Sequence, residues 1–217
     1  FLGYWKPAMD NNIAPFLAAK QVKVFDKPSL ADAQATLAVP QYVADAGLKT
    51  FADIARFKDK LGGKLYGIEP GSGANTDIQK MIDTNRFGLG GFKLVASGEA
   101  GMLAAVQRAV NRKEFVVFVG WTPHPMNINM NISYLTGSED VYGPNEGAAT
   151  VSTVTSPDYA ERCPNVNRLL ENLTFTAAQE SQLMVPIMER QTAQDVARKW
   201  LRDHPEDLQR WLAGVSS

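Results

Sequence analysis

Cysteine, histidine and long apolar runs are all scarce in this sequence. Its 217 residues include one cysteine, Cys163, and two histidines, His124 and His204. Zinc motifs need several Cys or His ligands at short spacing, so the sequence excludes them and we expect neither a metal nor a cofactor. No apolar run approaches the ~18 residues that a membrane-spanning helix requires.

An excess of charge of either sign is also missing. The chain has 22 Lys and Arg against 23 Asp and Glu, and its basic residues are scattered. Proteins that bind nucleic acid present a clustered basic surface, so we expect no nucleic-acid partner. The length suffices for one large domain or two small lobes with a hydrophobic core.

The first residues are apolar and contain no methionine, since the chain opens Phe1-Leu2-Gly3-Tyr4-Trp5. We interpret this as a cut end and expect a signal peptide and an N-terminal segment upstream. The odd cysteine supports that interpretation, because a secreted protein pairs its cysteines and Cys163 has no partner in this chain.

Residues 50–120 alternate between helix and strand. Thr50 and Asp53 form a capping-box-like start for the first helix, and Gly62-Gly63 ends it. The following predicted elements are a strand at 64–68, a helix at 76–84, a strand at 92–96, a helix at 99–111 and a strand at 114–119. This alternation predicts a parallel sheet with helices on both faces.

The flanking regions follow other patterns. Before residue 50 we predict a short strand within 1–9, a helix or loop at 10–19, a strand at 21–25 and an apolar stretch at 35–39. After it come a polar stretch at 127–147, a β-prone run at 149–155 and four helices at 166–172, 177–189, 193–202 and 205–212. We predict two lobes, 1–37 with 121–217 and 38–120, joined near residues 37–40 and 120–123.

The segment after the 114–119 strand is the strongest candidate for a binding surface. It places Trp121, His124, two prolines and Asn127 within seven residues. A buried strand that delivers a Trp and a His to a Pro-stiffened turn is a common way to present such a surface. Spacing alone leaves the alternative open that Trp121 is a core aromatic and His124 a satisfied loop histidine.

A glycine-rich turn, Gly71-Ser72-Gly73-Ala74-Asn75, lies between a predicted strand and a predicted helix. Its amides could hold an anion at the helix N-terminus, although a plain turn is an equal alternative. The spacing fits neither a P-loop nor a dinucleotide fingerprint. Nothing in it selects Ser72 and His124 as parts of a catalytic triad.

The four tryptophans fall into two pairs. Trp200 and Trp211 lie in amphipathic C-terminal helices, which predicts that they are core residues. Trp5 and Trp121 each follow an apolar run with a glycine and precede a proline. If both segments end at one cleft, two indole faces meet there and suit a quaternary ammonium ion, which has no N–H to donate.

Four motifs carry a family resemblance: Phe1-Leu2-Gly3-Tyr4-Trp5-Lys6-Pro7, Leu65-Tyr66-Gly67-Ile68-Glu69-Pro70-Gly71, Gly120-Trp121-Thr122-Pro123-His124-Pro125-Met126-Asn127 and Cys163-Pro164-Asn165. Together they resemble the substrate-binding proteins of ABC importers for quaternary amines, and the choline-binding branch is most similar. The resemblance runs through most of the chain, and the Trp-x-Pro-His-Pro-Met-Asn order is its most specific part.

The resemblance implies an α/β, type II-like periplasmic binding protein fold with two lobes, of which the first lacks its N-terminal part. It implies a periplasmic, non-enzymatic protein that delivers a quaternary amine to an ABC permease in the inner membrane. Trp5 and Trp121 are then two walls of an aromatic box. Gly71, Ser72, Asn75 and His124 are candidate partners of a ligand carboxylate. It further implies that Cys163 pairs with a cysteine of the segment that this chain lacks.

Two positions depart from the choline-binding pattern. Ala35 stands where that branch has a box tyrosine, and Ser72 stands where it has an asparagine. The loss of the tyrosine opens one wall and implies a roomier site for a longer ligand, such as carnitine or another betaine, so the identity of the amine stays open. A ligand-sensing domain of a regulator or receptor with the same fold is the alternative function.

Overall fold

The computed structural model describes residues 1–216, which divide into two compact units. The first unit contains Phe1–Ala33, Thr122–Pro125 and the chain from Ala149 onward. The second contains Gln34–Trp121 and Met126–Ala148. The sequence prediction placed residues 126–148 in the first lobe, whereas here they belong to the second unit. The bounds of the lobes as moving bodies stay a prediction.

Short strands and helices alternate along most of the chain. The strands are β1 (Tyr4–Lys6), β2 (Lys23–Val24), β3 (Leu30–Pro40), β4 (Lys64–Tyr66), β5 (Lys93–Val95), β6 (Phe118–Thr122), β7 (Ile132–Tyr134), β8 (Ala148–Ser152) and β9 (Val154–Thr155). The helices are α1 (Asp10–Ala18), α2 (Gln41–Asp45), α3 (Gly73–Asp83), α4 (Gly98–Arg112), α5 (Met126–Asn129), α6 (Glu139–Tyr142), α7 (Pro144–Gly147), α8 (Tyr159–Arg162), α9 (Pro164–Asn172), α10 (Ala177–Met188), α11 (Ala193–Asp203) and α12 (Pro205–Trp211). Two 3₁₀ segments, Phe51–Phe57 and Arg86–Gly88, complete the set.

In the first unit, β8 lies between β1 and β3, and β2 pairs with β9. The β1–β8 ladder is antiparallel and places Trp5 opposite Val151. A small core is shared by five buried residues, Leu30, Ala33, Ala149, Val151 and Ala177, and Trp5 and Phe175 pack against it. The ladder therefore fixes the backbone that carries Trp5.

The C-terminal helices of this unit agree closely with the sequence prediction. Trp200 and Trp211 are buried, as predicted for core residues. The Trp211 ring packs against Phe175 with 4.9 Å between ring centroids, and its Nε1 donates to the Thr174 carbonyl at 3.2 Å. By contrast, α1 and α9 bury none of their residues, and Phe16 and Val166 are about half exposed.

The second unit contains a sheet in the order β3-β6-β4-β5, with β7 on the other edge of β3. The β4–β5 and β4–β6 pairs are parallel, which confirms the parallel sheet predicted from residues 50–120. Leu37, Leu65, Ile78 and Val117 are among the fully buried residues of its core. Asp53 accepts a hydrogen bond from the Thr50 amide at 2.9 Å, so the predicted capping box is present, although it opens a 3₁₀ segment.

The strand predicted at 114–119 is displaced, because β6 begins at Phe118 and continues through Gly120 and Trp121. Lys113 ends α4 in the left-handed conformation, and the Glu114 amide still bonds to the Ala109 carbonyl. The turn that ends the helix therefore extends to Glu114. A Cβ on Gly120 would come within 2.9 Å of both the Ala38 Cβ and a Tyr134 ring carbon. Trp121 is therefore a strand residue and not a loop residue.

Three other predicted boundaries need correction. Helix α3 begins at Gly73 and not at Thr76, because Ser72 caps it by accepting the Asn75 amide at 3.3 Å. The apolar stretch at 35–39 is part of the longer strand β3. The polar stretch at 127–147 contains regular elements, of which β7 pairs antiparallel with β3.

Gly120→Ala should lower the free energy of unfolding by about 1–3 kcal/mol, since the added methyl overpacks the contact between β6 and its neighbours. Urea denaturation measures the change. Gly3→Ala is the matched control, because a Cβ there meets only the Phe1 ring at an ordinary 3.8 Å. Equal stability of both variants would contradict the close fit at Gly120.

Burial raises the pKa of the Asp77 carboxyl from 3.8 to about 6, with Lys80 lowering it in part. Because the folded pKa exceeds the unfolded one, the folded state binds more protons between these two values. The stability of the protein therefore falls as the pH rises through this window. Asp77→Asn should raise the melting temperature at pH 8 and leave it nearly unchanged at pH 3. The exposed residue Asp59, changed to Asn, is the control, and a parallel response of both variants would contradict the assignment.

Candidate functional site

Trp5 is half-buried on β1 in the first unit. Its neighbour Tyr4 points the other way, is buried and donates its hydroxyl to the Asp10 carboxylate at 2.7 Å. Burial and the carboxylate of Asp10 raise the pKa of Tyr4 far above its usual range, so the hydroxyl keeps its proton. The alternation along the strand therefore holds Tyr4 inside and leaves part of the Trp5 indole accessible.

Trp121 is half-buried at the end of β6 and packs against both hydrophobic clusters of the second unit. The Asn127 side chain donates to the Trp121 carbonyl at 2.8 Å, and the Tyr134 hydroxyl donates to the Asn127 side-chain oxygen at 2.8 Å. These two bonds fix the main chain at the indole. Asn127 and Tyr134 are thus positioning residues that the predicted site did not include, although Asn127 closes the motif in which Trp121 lies.

His124 lies in the part of this motif that belongs to the first unit. Its side chain is 1% exposed, and it stands between Pro123, which follows a cis peptide bond, and Pro125. A buried imidazole requires hydrogen-bond partners. A ligand contact through His124 stays a prediction.

The turn before α3 is held by the Asn75 side chain, which is 4% exposed. Its oxygen accepts the Ile68 amide at 2.8 Å, and its nitrogen donates to the carbonyls of Ile68 and Glu69 at 3.0 Å each. Gly67 permits this approach, because a Cβ there would lie 2.1 Å from the Asn75 oxygen. The side-chain amide of Asn75 is therefore occupied by hydrogen bonds to the main chain of the turn.

The start of α3 offers main-chain donors for an anion. The first amides of a helix, here those of Gly73 and Ala74, have no intrahelical acceptor. Gly71 is exposed with φ +84°, and the Ser72 hydroxyl is occupied as the helix cap. A carboxylate is best held here by the amides at 73 and 74, with the helix dipole adding to the attraction.

An open groove of 680 Å³ runs from this turn along α3 within the second unit. Gly71 and Asn75 form part of its wall, together with Thr76, Lys80 and Leu94. Of the predicted site residues, the structure thus brings Gly71, Ser72 and Asn75 together in one turn. Trp121 belongs to the same unit, and Trp5 and His124 belong to the other.

Two classes of feature are absent from residues 1–216. In this described part there is no group of three or more His, Cys, Asp and Glu side chains that could hold a metal ion. Nor does any helix there have the length and apolar character needed to cross a membrane. Cys163 is a half-buried free thiol, and its pairing outside the chain stays a prediction.

Comparison with known proteins identifies the family of this chain. The model of the OpuAC family, described as the substrate-binding domain of ABC-type glycine betaine transport systems, matches residues 1–203. The glycine betaine/carnitine transport binding protein GbuC of Listeria monocytogenes is 26% identical over 157 residues, which are 72% of this chain and 51% of that protein. An uncharacterized protein, ORF1 of Chromohalobacter salexigens, is 39% identical over 35% of this chain and 48% of its own length. The chain therefore spans about half the length of the curated relatives it matches.

Solved structures of related proteins share the fold. An ABC-transporter choline-binding protein in complex with choline is 45% identical to this chain and superposes on it with a TM-score of 0.95. The match covers all of this chain and 75% of that protein. Lactococcal OpuAC in its closed form with glycine betaine has a TM-score of 0.86 at 22% identity over 97% of this chain and 78% of its own, which is a likeness of fold alone. These neighbours are two-lobed periplasmic binding proteins, so the predicted α/β fold class is confirmed. The chain belongs to the OpuAC family of substrate-binding domains of ABC-type glycine betaine transport systems.

Proposed function

We propose that this chain is the solute-binding component of an ABC importer and captures a quaternary ammonium compound in an aromatic cage to which Trp5 and Trp121 contribute. The observation that carries the proposal is the half-buried Trp121 indole, whose main chain is held by the Asn127 side chain, in a chain 45% identical to a choline-bound relative. The family match favours this transport function over a sensor domain.

The physical basis is the chemistry of the ligand class. A quaternary ammonium ion has no N–H, so hydrogen bonds cannot recognise its charged end. Each indole face contributes roughly 0.5–2 kcal/mol of cation–π attraction, and most when water is excluded. Two such walls, added to the burial of methyl groups, suit affinities in the micromolar range, for which about 8 kcal/mol is needed.

The remaining roles follow from this function. The protein works outside the cytoplasmic membrane, in the periplasm, and hands its ligand to an ABC permease. The ligand leaves unchanged, because the protein's task is capture and delivery. For ligands with a carboxylate, such as glycine betaine or carnitine, the amides of Gly73 and Ala74 are the proposed anion site.

Intrinsic tryptophan fluorescence, titrated with choline, glycine betaine and carnitine, should show a saturable change with at least one of them. Trp121→Ala should abolish the change, because one cage wall and its packing are lost. Trp200→Phe is the control, since it removes a buried indole whose Nε1 has no hydrogen-bond partner. A folded protein that responds to none of the three, or a Trp121→Ala variant that binds normally, would contradict the proposal.

Gly73→Pro should weaken glycine betaine about tenfold and leave choline unchanged, since it deletes one amide that would bond to a charged oxygen. Proline is tolerated at the first position of a helix, and Ser72 already has the extended ψ of 150° that a following proline requires. Gly73→Ala keeps the amide and is the matched control. Isothermal titration calorimetry measures both ligands. An equal loss for choline and glycine betaine would exclude the amide as the carboxylate site.

A further inference from the structure

A basic groove of 350 Å³ lies on the second unit. Its wall includes four exposed cations: Lys60, Lys64, Arg108 and Arg112. Glu114 is the one carboxylate among the described residues of this wall. The whole chain has 22 basic and 23 acidic side chains, so this surplus of positive charge is local. The fold creates the surplus, because the two lysines and the two arginines are far apart in the sequence.

Helix α4 supplies the two arginines of the basic groove. Positions four apart lie on the same face of a helix, which is why Arg108 and Arg112 line one wall together. The negative end of the helix dipole favours a cation in the last turn, and this accounts for Arg112. It does not account for the two lysines, which come from a different segment of the chain.

The two lysines are positioned by different contacts. Lys64 is the first residue of β4, and parallel pairing with Lys93 on β5 fixes its main chain. The Lys60 ammonium lies over the Phe115 ring, 4.8 Å from the ring centroid, and Phe115 stacks on Phe57 with 5.7 Å between centroids. Phe115 is part of the groove wall, so this cation–π contact holds the Lys60 charge at the groove.

Most of this positive charge is not neutralised by the protein. Arg112 approaches Glu114 at 3.9 Å, which is a long contact between two exposed side chains and is screened by water. Within the described part of the chain, Lys60, Lys64 and Arg108 form no ion pair with a carboxylate. Four cations around one concave surface repel one another, and an anion that enters the groove relieves this repulsion.

The basic groove lies apart from the proposed amine site. Lys64 is at the start of β4, whereas the turn at 71–75 and the first amides of α3 follow the end of that strand. A quaternary ammonium ion is itself positive, so a surplus of cations repels it. The basic groove therefore suits a second ligand, of the opposite charge.

We propose that the basic groove binds a small anion of the phosphate class with two or more negative charges, either free in solution or as the headgroup of a lipid. Arginine side chains form paired N–H···O bonds to phosphate oxygens, and lysines add point charges. A monocarboxylate brings a single charge to four cations and gains less. The volume of the groove is near the lower end of the roughly 300–1,000 Å³ that is usual for small-molecule sites, which favours a small anion over a macromolecule.

Calorimetric titration with inorganic pyrophosphate, in metal-free buffer of low ionic strength, should show saturable binding. Acetate should bind at least about tenfold more weakly, because it carries one charge. Arg108→Gln/Arg112→Gln should weaken pyrophosphate about tenfold or more, since two charge-assisted contacts are lost. Arg198→Gln/Arg202→Gln is the matched control, because it removes two exposed arginines at the same spacing on α11, and it should leave the affinity unchanged.

A second variant, Lys60→Gln/Lys64→Gln, changes the other segment of the groove and should weaken pyrophosphate to a similar extent. The melting temperatures of both groove variants should match that of the unaltered protein, because all four side chains are exposed. Equal loss of binding in the groove variants and in the control variant would show attraction by overall charge and would overturn the proposal.

Vesicles distinguish the two sources of phosphate. Co-sedimentation is compared for phosphatidylcholine vesicles with and without phosphatidic acid. Binding that requires phosphatidic acid and is lost in Arg108→Gln/Arg112→Gln identifies a lipid headgroup as the ligand, whereas binding of pyrophosphate alone identifies a soluble anion. If neither probe binds, or if acetate binds as tightly as pyrophosphate, the proposal is wrong. Amine capture by the aromatic cage does not depend on any of these outcomes.

Discussion

The close approach of β6 to its neighbours at Gly120 is the constraint on which the second unit depends. The absence of a side chain there lets β6 lie against Ala38 and Tyr134, and the next residue, Trp121, is thereby placed at the end of a buried strand. The Tyr134–Asn127–Trp121 hydrogen-bond series starts from the same tyrosine. Tyr134 thus both contacts Gly120 and helps to hold the main chain that carries the indole we assign to ligand capture.

The first unit positions its tryptophan by a related arrangement. Trp5 lies on a three-residue strand whose register is set by β8, and the inward neighbour, Tyr4, is fixed by Asp10. In both units the indole is carried by a strand and not by a loop. Strand residues are held more firmly than loop residues, which suits a ligand whose ammonium end forms no hydrogen bond that could correct a misplaced ring.

Polar groups near the proposed site divide into those that build it and those that remain for a ligand. The Asn75 side chain forms hydrogen bonds with the main chain of residues 68 and 69, and Ser72 caps α3. What these bonds leave available are the first amides of the helix.

Much of the fold follows from sequence pattern. The helix–strand alternation of residues 50–120 predicted the parallel sheet, and amphipathic spacing predicted the burial of Trp200 and Trp211. The start of β6 could not be predicted, because the Glu114 amide still bonds to the Ala109 carbonyl at the end of α4 and the β-prone residues 114–117 lie before the strand. The place of residues 126–148 in the second unit depends on the pairing of β7 with β3, which local spacing does not encode.

The most direct test of cation recognition compares choline with its neutral isostere 3,3-dimethylbutan-1-ol by calorimetry. The two molecules have nearly the same shape and hydroxyl, and they differ in the positive charge. The predicted result is that choline binds and that the isostere binds at least about tenfold more weakly, because the cation–π attraction vanishes for a neutral ligand. Equal binding of the two would mean that the site recognises shape and apolar surface alone, which contradicts recognition of the positive charge.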